Sequence, residues 1–136
     1  MTQMNRSQRS MENYISKEPH VDSQSVVVSA NSVNTVSFNI EGNYDLEFFR
    51  FSYKSTGLFK IQFLVNQKKI FPNPVTSAVF SGYMNTSVLG QLLWHTFKTP
   101  LFVYRNTNLI ASITDVSGSS NTVEIVIDGI KYLYTV

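Results

Sequence analysis

At 136 residues the chain holds one domain with a true core and has no comfortable room for two. The absence of cysteine excludes disulfides and thiolate metal sites, and a net charge of +2 carried by scattered cations lacks the basic stripe that phosphate binding requires. Charged residues make up only 15% of the chain, and the 13% aromatic share suits strands and leaves weakly hydrated surface for partners.

Residues 1–24 are dominated by Ser, Asn, Gln and balanced charges, with Met4, Met11, Tyr14 and Ile15 dispersed among them. No period of two or 3.6 emerges, and such a segment buries too little surface to offset its ordering entropy. It reads as an extended polar N-terminal arm, mobile alone and ordered on docking. Met4, Met11, Tyr14 and Ile15 are its candidate partner contacts. No apolar run approaches the ~20 residues of a membrane span. The first ten residues also lack the apolar stretch of a secretory signal. Neither a membrane nor a specific nucleic acid is expected as a partner, and assembly in a cytoplasm is.

From residue 25 the pattern is that of strands. A Val-rich run covers residues 25–30, and over residues 35–40 Val36, Phe38 and Ile40 share one face. After the turn at Glu41, Gly42 and Asn43, residues 46–54 set Phe49, Phe51 and Tyr53 against Arg50, Ser52 and Lys54. Beyond Ser55, Thr56 and Gly57, the residues Phe59, Ile61, Phe63 and Val65 alternate with Lys60, Gln62 and Leu64. Pro72 and Pro74 then end an element, and Thr76 can begin another. Residues 87–97 read as a loop with a possible strand, because Gly90 weakens a helix and the run is too short for its period to decide.

Pro100 opens residues 101–105, and Asn106, Thr107 and Asn108 make a turn. Leu109, Ala111 and Ile113 form one face of the next strand, and residues 116–121 are a hairpin connection. In the last strand Val123, Ile125 and Ile127 share a face, but beyond Asp128 and Gly129 the apolar set shifts to Ile130, Tyr132 and Tyr134. A change of phase at a glycine is what a β-bulge or sharp bend produces. The total of about eight strands predicts an all-β chain, an antiparallel β-sandwich of jelly-roll-like type over residues 25–136.

Chemistry is sparse. Only His20 and His95 can supply an imidazole base. The first lies in the polar arm as a solvated side chain, and the second follows Trp94 in an apolar stretch where packing explains it. No serine stands in a nucleophile turn. No histidine pair or calcium loop has ligand spacing, and the six glycines form no phosphate loop. Asp115 and Asp128 read as a turn former and a bulge neighbour. Glu41, Asp45 and Glu47 read as a solvated edge. No catalytic, metal or cofactor residue is expected, and the chain is not read as an enzyme. Trp94 and surface tyrosines leave a carbohydrate-binding module as the alternative.

Three stretches carry a resemblance. They are Phe48-Phe49-Arg50-Phe51 with Ser55-Thr56-Gly57-Leu58-Phe59-Lys60-Ile61; Val88-Leu89-Gly90 with Pro100-Leu101-Phe102; and the closing run from Leu109, including Thr114-Asp115-Val116-Ser117-Gly118 and Asn121-Thr122-Val123. Together they resemble the small β-rich virion structural proteins of tailed bacteriophages over roughly residues 33–134. The resemblance implies a jelly-roll component of the head or head–tail region. Such a component self-associates, docks on other virion structural proteins and carries no catalytic residues.

Overall fold

The computed structural model describes residues 14–78 and 94–134. Nine strands lie among them: β1 Ser16–Val28, β2 Val33–Ile40, β3 Tyr44–Ser55, β4 Phe59–Val65, β5 Lys68–Lys69, β6 Val75–Thr76, β7 His95–Val103, β8 Thr107–Asp115 and β9 Asn121–Leu133. Their pairing is nested. β1 pairs with β9, β2 with β8, β3 with β7, and β4 with both β5 and β6, every pair antiparallel. A chain wrapped in this way gives one sheet in the order β1-β9-β3-β7 and a second in the order β2-β8-β4-β5. Nested pairing split between two facing sheets is a jelly roll.

The core is the space between the sheets. Val36, Phe38 and Ile40 of β2 are buried on alternate positions, as their period requires, and so are Phe59, Ile61 and Phe63 of β4 and Leu109, Ala111 and Ile113 of β8. From the other sheet come Leu46, Phe48 and Phe51 of β3 with Val123, Ile125 and Ile127 of β9. Phe63 meets Phe48 and Phe51 edge-on, with ring centroids 5.3 and 4.9 Å apart, which binds the two layers through aromatic contacts.

Three readings of the sequence are corrected. The alternation through Phe49 breaks, because β3 shifts register between Phe48 and Arg50 against both neighbours. Phe49 is the extra residue of a bulge, and Phe48 takes the inward place. β9 itself keeps an unbroken register with β1, so the phase change expected at Gly129 belongs to β3, which lies opposite it. On β7, residues 97–100 stand between the pairs Phe48–Leu101 and Arg50–Thr96, so Pro100 lies inside that strand's irregularity and does not open a new strand. Proline is tolerated there because β7 is an edge strand and the position forms no ladder pair with β3.

The arm expected over residues 1–24 also differs. From Ser16 onward it is strand, paired residue for residue with β9 from Ser16–Leu133 to Val28–Asn121. Its polar composition hid it because an edge strand with only one side paired keeps most of its side chains in water.

Candidate interaction surface

β1 is a thirteen-residue edge strand. It projects Ile15 just before its start, then Val21 and Val27, which are 54%, 62% and 59% exposed. Of the residues expected to meet a partner, Met4 and Met11 lie outside the described residues. Ile15 is exposed, and its backbone N–H donates to Leu133 O at 2.9 Å. Tyr14 is used within the chain. Its ring packs on Tyr132 at 4.7 Å and on Tyr134 at 5.0 Å, and its hydroxyl donates to Asp45 Oδ2 at 2.8 Å.

Asp45 turns out to be an anchor, and the sequence reading of a solvated edge is wrong for it. Its side chain is fully buried. It accepts from the Arg105 backbone N–H at 2.7 Å and from the hydroxyls of both Tyr14 and Tyr134. Arg105 in turn lays its guanidinium 4.0 Å from the Tyr134 ring centre. One carboxylate thus ties together the entry to β1, the exit from β9 and the β7–β8 turn. A row of rings continues the clasp across the outside of the sheet: Tyr14 on Tyr132, Tyr132 on Phe102 at 5.9 Å, and Phe102 on Tyr104 at 6.3 Å, with interplanar angles of 30°, 31° and 26°. Rings this close and this nearly parallel stand against one another. These contacts hold neighbouring strands of the sheet together.

At the other end of the strands a second buried carboxylate explains the Thr-Asp-x-Ser-Gly…Asn pattern. Asp115 accepts from the Ser117 hydroxyl at 2.6 Å, the Asn31 N–H at 2.9 Å, the Gly118 N–H at 3.0 Å and the Asn121 side-chain amide at 3.1 Å. Asn121 completes the knot by accepting from the Gly57 N–H at 3.1 Å and donating to Leu58 O at 3.0 Å. The Ser117 hydroxyl first, then the Asn31 N–H, hold the Asp115 carboxyl well below the usual carboxylate range. Its role as a turn former is therefore real and extends to sealing one end of the sandwich.

The two imidazoles lie on different strands. His95 opens β7 between Phe51 and Phe97, with ring centroids 5.2 and 5.9 Å away, and burial lowers its pKa. His20 corrects the expectation of a solvated arm residue. It is half-buried on β1, 6.0 Å from the Tyr44 ring, and burial followed by the nearby Lys131 charge lowers its pKa. Trp94 is half-buried beneath Arg50, whose guanidinium lies 4.3 Å from its ring and whose Nε donates to Asp128 at 2.6 Å. Among the described residues no group of three or more His, Asp or Glu is placed to hold a metal ion, and no helix is long and apolar enough to cross a membrane.

The edge opposite β1 has a different character. The β4–β5 hairpin turns through Asn66 and Gln67, both at positive φ, which is the twist that a two-residue hairpin loop requires. Between this hairpin and the end of β7 lies an open cleft of about 620 Å³. Val65, Ile70 and Leu101 give it apolar walls, Phe102 and Tyr104 aromatic ones, and Lys68 and Lys69 a cationic rim. Further along the β4 edge, the Gln62 side-chain amide donates to Phe71 O and accepts from its N–H, at 2.8 and 2.9 Å, bridging the gap between β5 and β6.

No protein-family model and no curated protein matches the chain. Among solved structures it is similar to dimeric latent PorU from Porphyromonas gingivalis, at 15% identity and a TM-score of 0.45 over 90% of this chain and 13% of that one. It is also similar to the Drosophila NLP core, at 10% identity and 0.32 over 80% and 96%, and to the insecticidal delta-endotoxin Cry8Ea1 of Bacillus thuringiensis, at 19% and 0.33 over 84% and 19%. The chain thus spans only a small part of PorU and of the endotoxin.

Proposed function

We propose that the chain is a non-enzymatic structural protein of a tailed-bacteriophage particle, an auxiliary capsid or head–tail component that self-associates and docks on other virion proteins. The observation that carries this reading is the long open edge of β1, with Ile15, Val21 and Val27 in water. Among the described residues β1 has no ladder partner beyond β9, Asn34 Nδ2 donating to the Val27 carbonyl at 3.1 Å along the outer side, and proteins that remain monomeric blunt or cover such edges. Here Pro19, Lys17 and Glu18 blunt the first half, while residues 23–28 carry neither proline nor charge. The carboxylate anchor Asp45 fixes where the strand begins, so the edge is presented in one register. Two buried carboxylates serve as structural fasteners, and the histidines pack among rings, which leaves the described surface to binding. The carbohydrate-binding alternative needs open aromatic faces. Arg50 takes one face of Trp94, and Tyr14 and Tyr132 lie against each other.

The reading is tested in two steps. Native mass spectrometry of the purified chain should give a discrete multimer, and an antibody against the chain should label the head or neck of particles from the source culture. A chain that is monomeric at high concentration and absent from purified particles overturns the proposal.

A further inference from the structure

We infer that β1 pairs antiparallel with β1 of a second copy of this chain about a two-fold axis through Gln24, so that the two β1-β9-β3-β7 sheets become one. This rests on the self-association proposed above and names the strand and the register that carry it. Hydrogen bonds of β9 fix which backbone groups of β1 face outward. The Thr122 carbonyl accepts from the Thr56 N–H just past β3, and the Tyr134 N–H donates to the Asn43 carbonyl just before it, at 3.1 and 2.9 Å. Even-numbered residues of β9 therefore bond toward β3, and odd-numbered ones toward β1. Their partners on β1 are even-numbered, which leaves the backbone groups of Lys17, Val21, Ser23, Ser25 and Val27 turned away from β9. Pro19 falls in the same set, where a missing N–H costs the β1–β9 ladder nothing.

The side chains of that set form a palindrome. Val21, Ser23, Ser25 and Val27 are all exposed and stand symmetrically about Gln24. A two-fold axis there sets Val21 against Val27 of the second copy, Ser23 against Ser25, and Gln24 against itself. Outward backbone groups then meet outward groups, as a hydrogen-bonded antiparallel ladder requires. An axis moved to Ser23 or Ser25 sets Val21 against a serine in either case. Lys17, Glu18 and Pro19 pass beyond Val28, the end of the second β1, and Asp22 stands opposite Val26. Residues 23–40 carry no charge, so β2, joined to β1 through Asn34, brings none to this side. A charged partner strand would find no counter-charge along this stretch, whereas a second copy needs none. At two outward groups the chain's own side chains stand where a neighbouring strand would. Asp22 Oδ1 accepts from the Ser23 N–H at 2.8 Å, and Asn34 Nδ2 donates to the Val27 carbonyl at 3.1 Å. Neither side chain is buried, and both give way to ladder bonds.

Gln24 meets its own copy and is exposed, so it carries the test. Gln24→Lys and Gln24→Glu should each weaken association of the full chain by about ten-fold, because like charges then stand directly opposite. An equimolar mixture of the two should form pairs holding one of each, read by native mass spectrometry. Ser25→Pro removes an outward N–H and leaves the β1–β9 ladder whole. Its circular dichroism should match wild type while association falls by about ten-fold or more. As a second measurement, Gln24→Cys in this cysteine-free chain should oxidise to a disulfide-linked dimer, since a non-hydrogen-bonded pair holds its Cα atoms about 4.5 Å apart. Lys69→Cys, on the edge strand at the other side of the sandwich, should not. A wild type that multimerises while the Gln24 and Ser25 variants associate normally and Gln24→Cys forms no disulfide overturns this inference and leaves self-association standing. A wild type that stays monomeric overturns both.

Discussion

Gly129 provides a quantitative test of the fold. It pairs with Phe48 on β3, immediately beside the register shift, and it is buried. A Cβ placed there would stand 2.3 Å from the Glu47 carbonyl oxygen and 3.0 Å from Leu46 Cδ1. Backbone cannot swing aside as a side chain can, so Gly129→Ala must force β3 and β9 apart by about 1 Å, an overpacking that costs about 1–3 kcal/mol by itself. The same displacement stretches ladder hydrogen bonds on either side of the bulge, each worth about 1 kcal/mol. The expected loss is about 3 kcal/mol, a large share of the roughly 5–15 kcal/mol that holds a domain folded.

Urea unfolding followed by circular dichroism reads this loss as a midpoint lowered by roughly 1.5–2 M. Two other glycines calibrate it. At Gly118 a Cβ meets open space, but φ is +79°, so Gly118→Ala should cost only the ~1 kcal/mol of a left-handed residue. At Gly42 the nearest atom is the end of the Asn106 side chain, 3.1 Å away and able to turn, so Gly42→Ala should fall within about 0.5 kcal/mol of wild type. A Gly129→Ala protein that unfolds at the wild-type midpoint, or an order of costs in which Gly42 leads, would refute the bulge opposite Gly129.

Three further outcomes follow from the packing and the two carboxylate anchors. Phe51→Ala empties a fully buried site that touches Phe63, His95 and Phe97, and should lower stability by about 3–5 kcal/mol in the same urea assay. Asp115 has a folded-state pKa below its unfolded value, so its contribution is present above about pH 4 and fades as pH falls toward the lower folded value. The stability gap between wild type and Asp115→Asn should therefore narrow between pH 5 and pH 2 in thermal melts, and an unchanged gap contradicts the assigned bonds. Tyr14→Phe removes one donor from the buried Asp45 and should cost about 1–2 kcal/mol, with faster hydrogen exchange confined to the first residues of β1. Exchange that rises equally over the whole sheet would point to a different role for Tyr14.

How legible each element was depended on whether its signal was local. Val36, Phe38 and Ile40 announced β2 by strict alternation, and β4 and β8 did the same, so the sandwich class could be read from three strands. β3 misled because Phe48 and Phe49 are both large and apolar. Nothing in the residues says which of two neighbouring phenylalanines faces inward when a bulge intervenes. β1 was hidden because its single paired edge needs no apolar period. Asp115 could be read as a turn residue from the Ser, Gly and Asn that follow it within six positions. Asp45 could not, because its hydroxyl donors come from Tyr14 and Tyr134, 31 and 89 residues away. The cleft joins β5 to β7 across residues whose only local mark was the pair Lys68 and Lys69.

The pairing of β1 with β9 has a consequence for how the molecule comes into being. Ser16–Val28 leaves the ribosome well before Asn121–Leu133, its ladder partner among the described residues. Every other described pairing falls inside that interval; the β2-β8-β4-β5 sheet can close once β8 is made, while the β1-β9-β3-β7 sheet must wait for β9, and a topology so rich in distant contacts folds slowly. The β1-β9-β3-β7 sheet is thus completed only when β9 arrives. Until then the strand proposed to bind a sister subunit lacks β9 along its other side, which ties assembly to the arrival of β9.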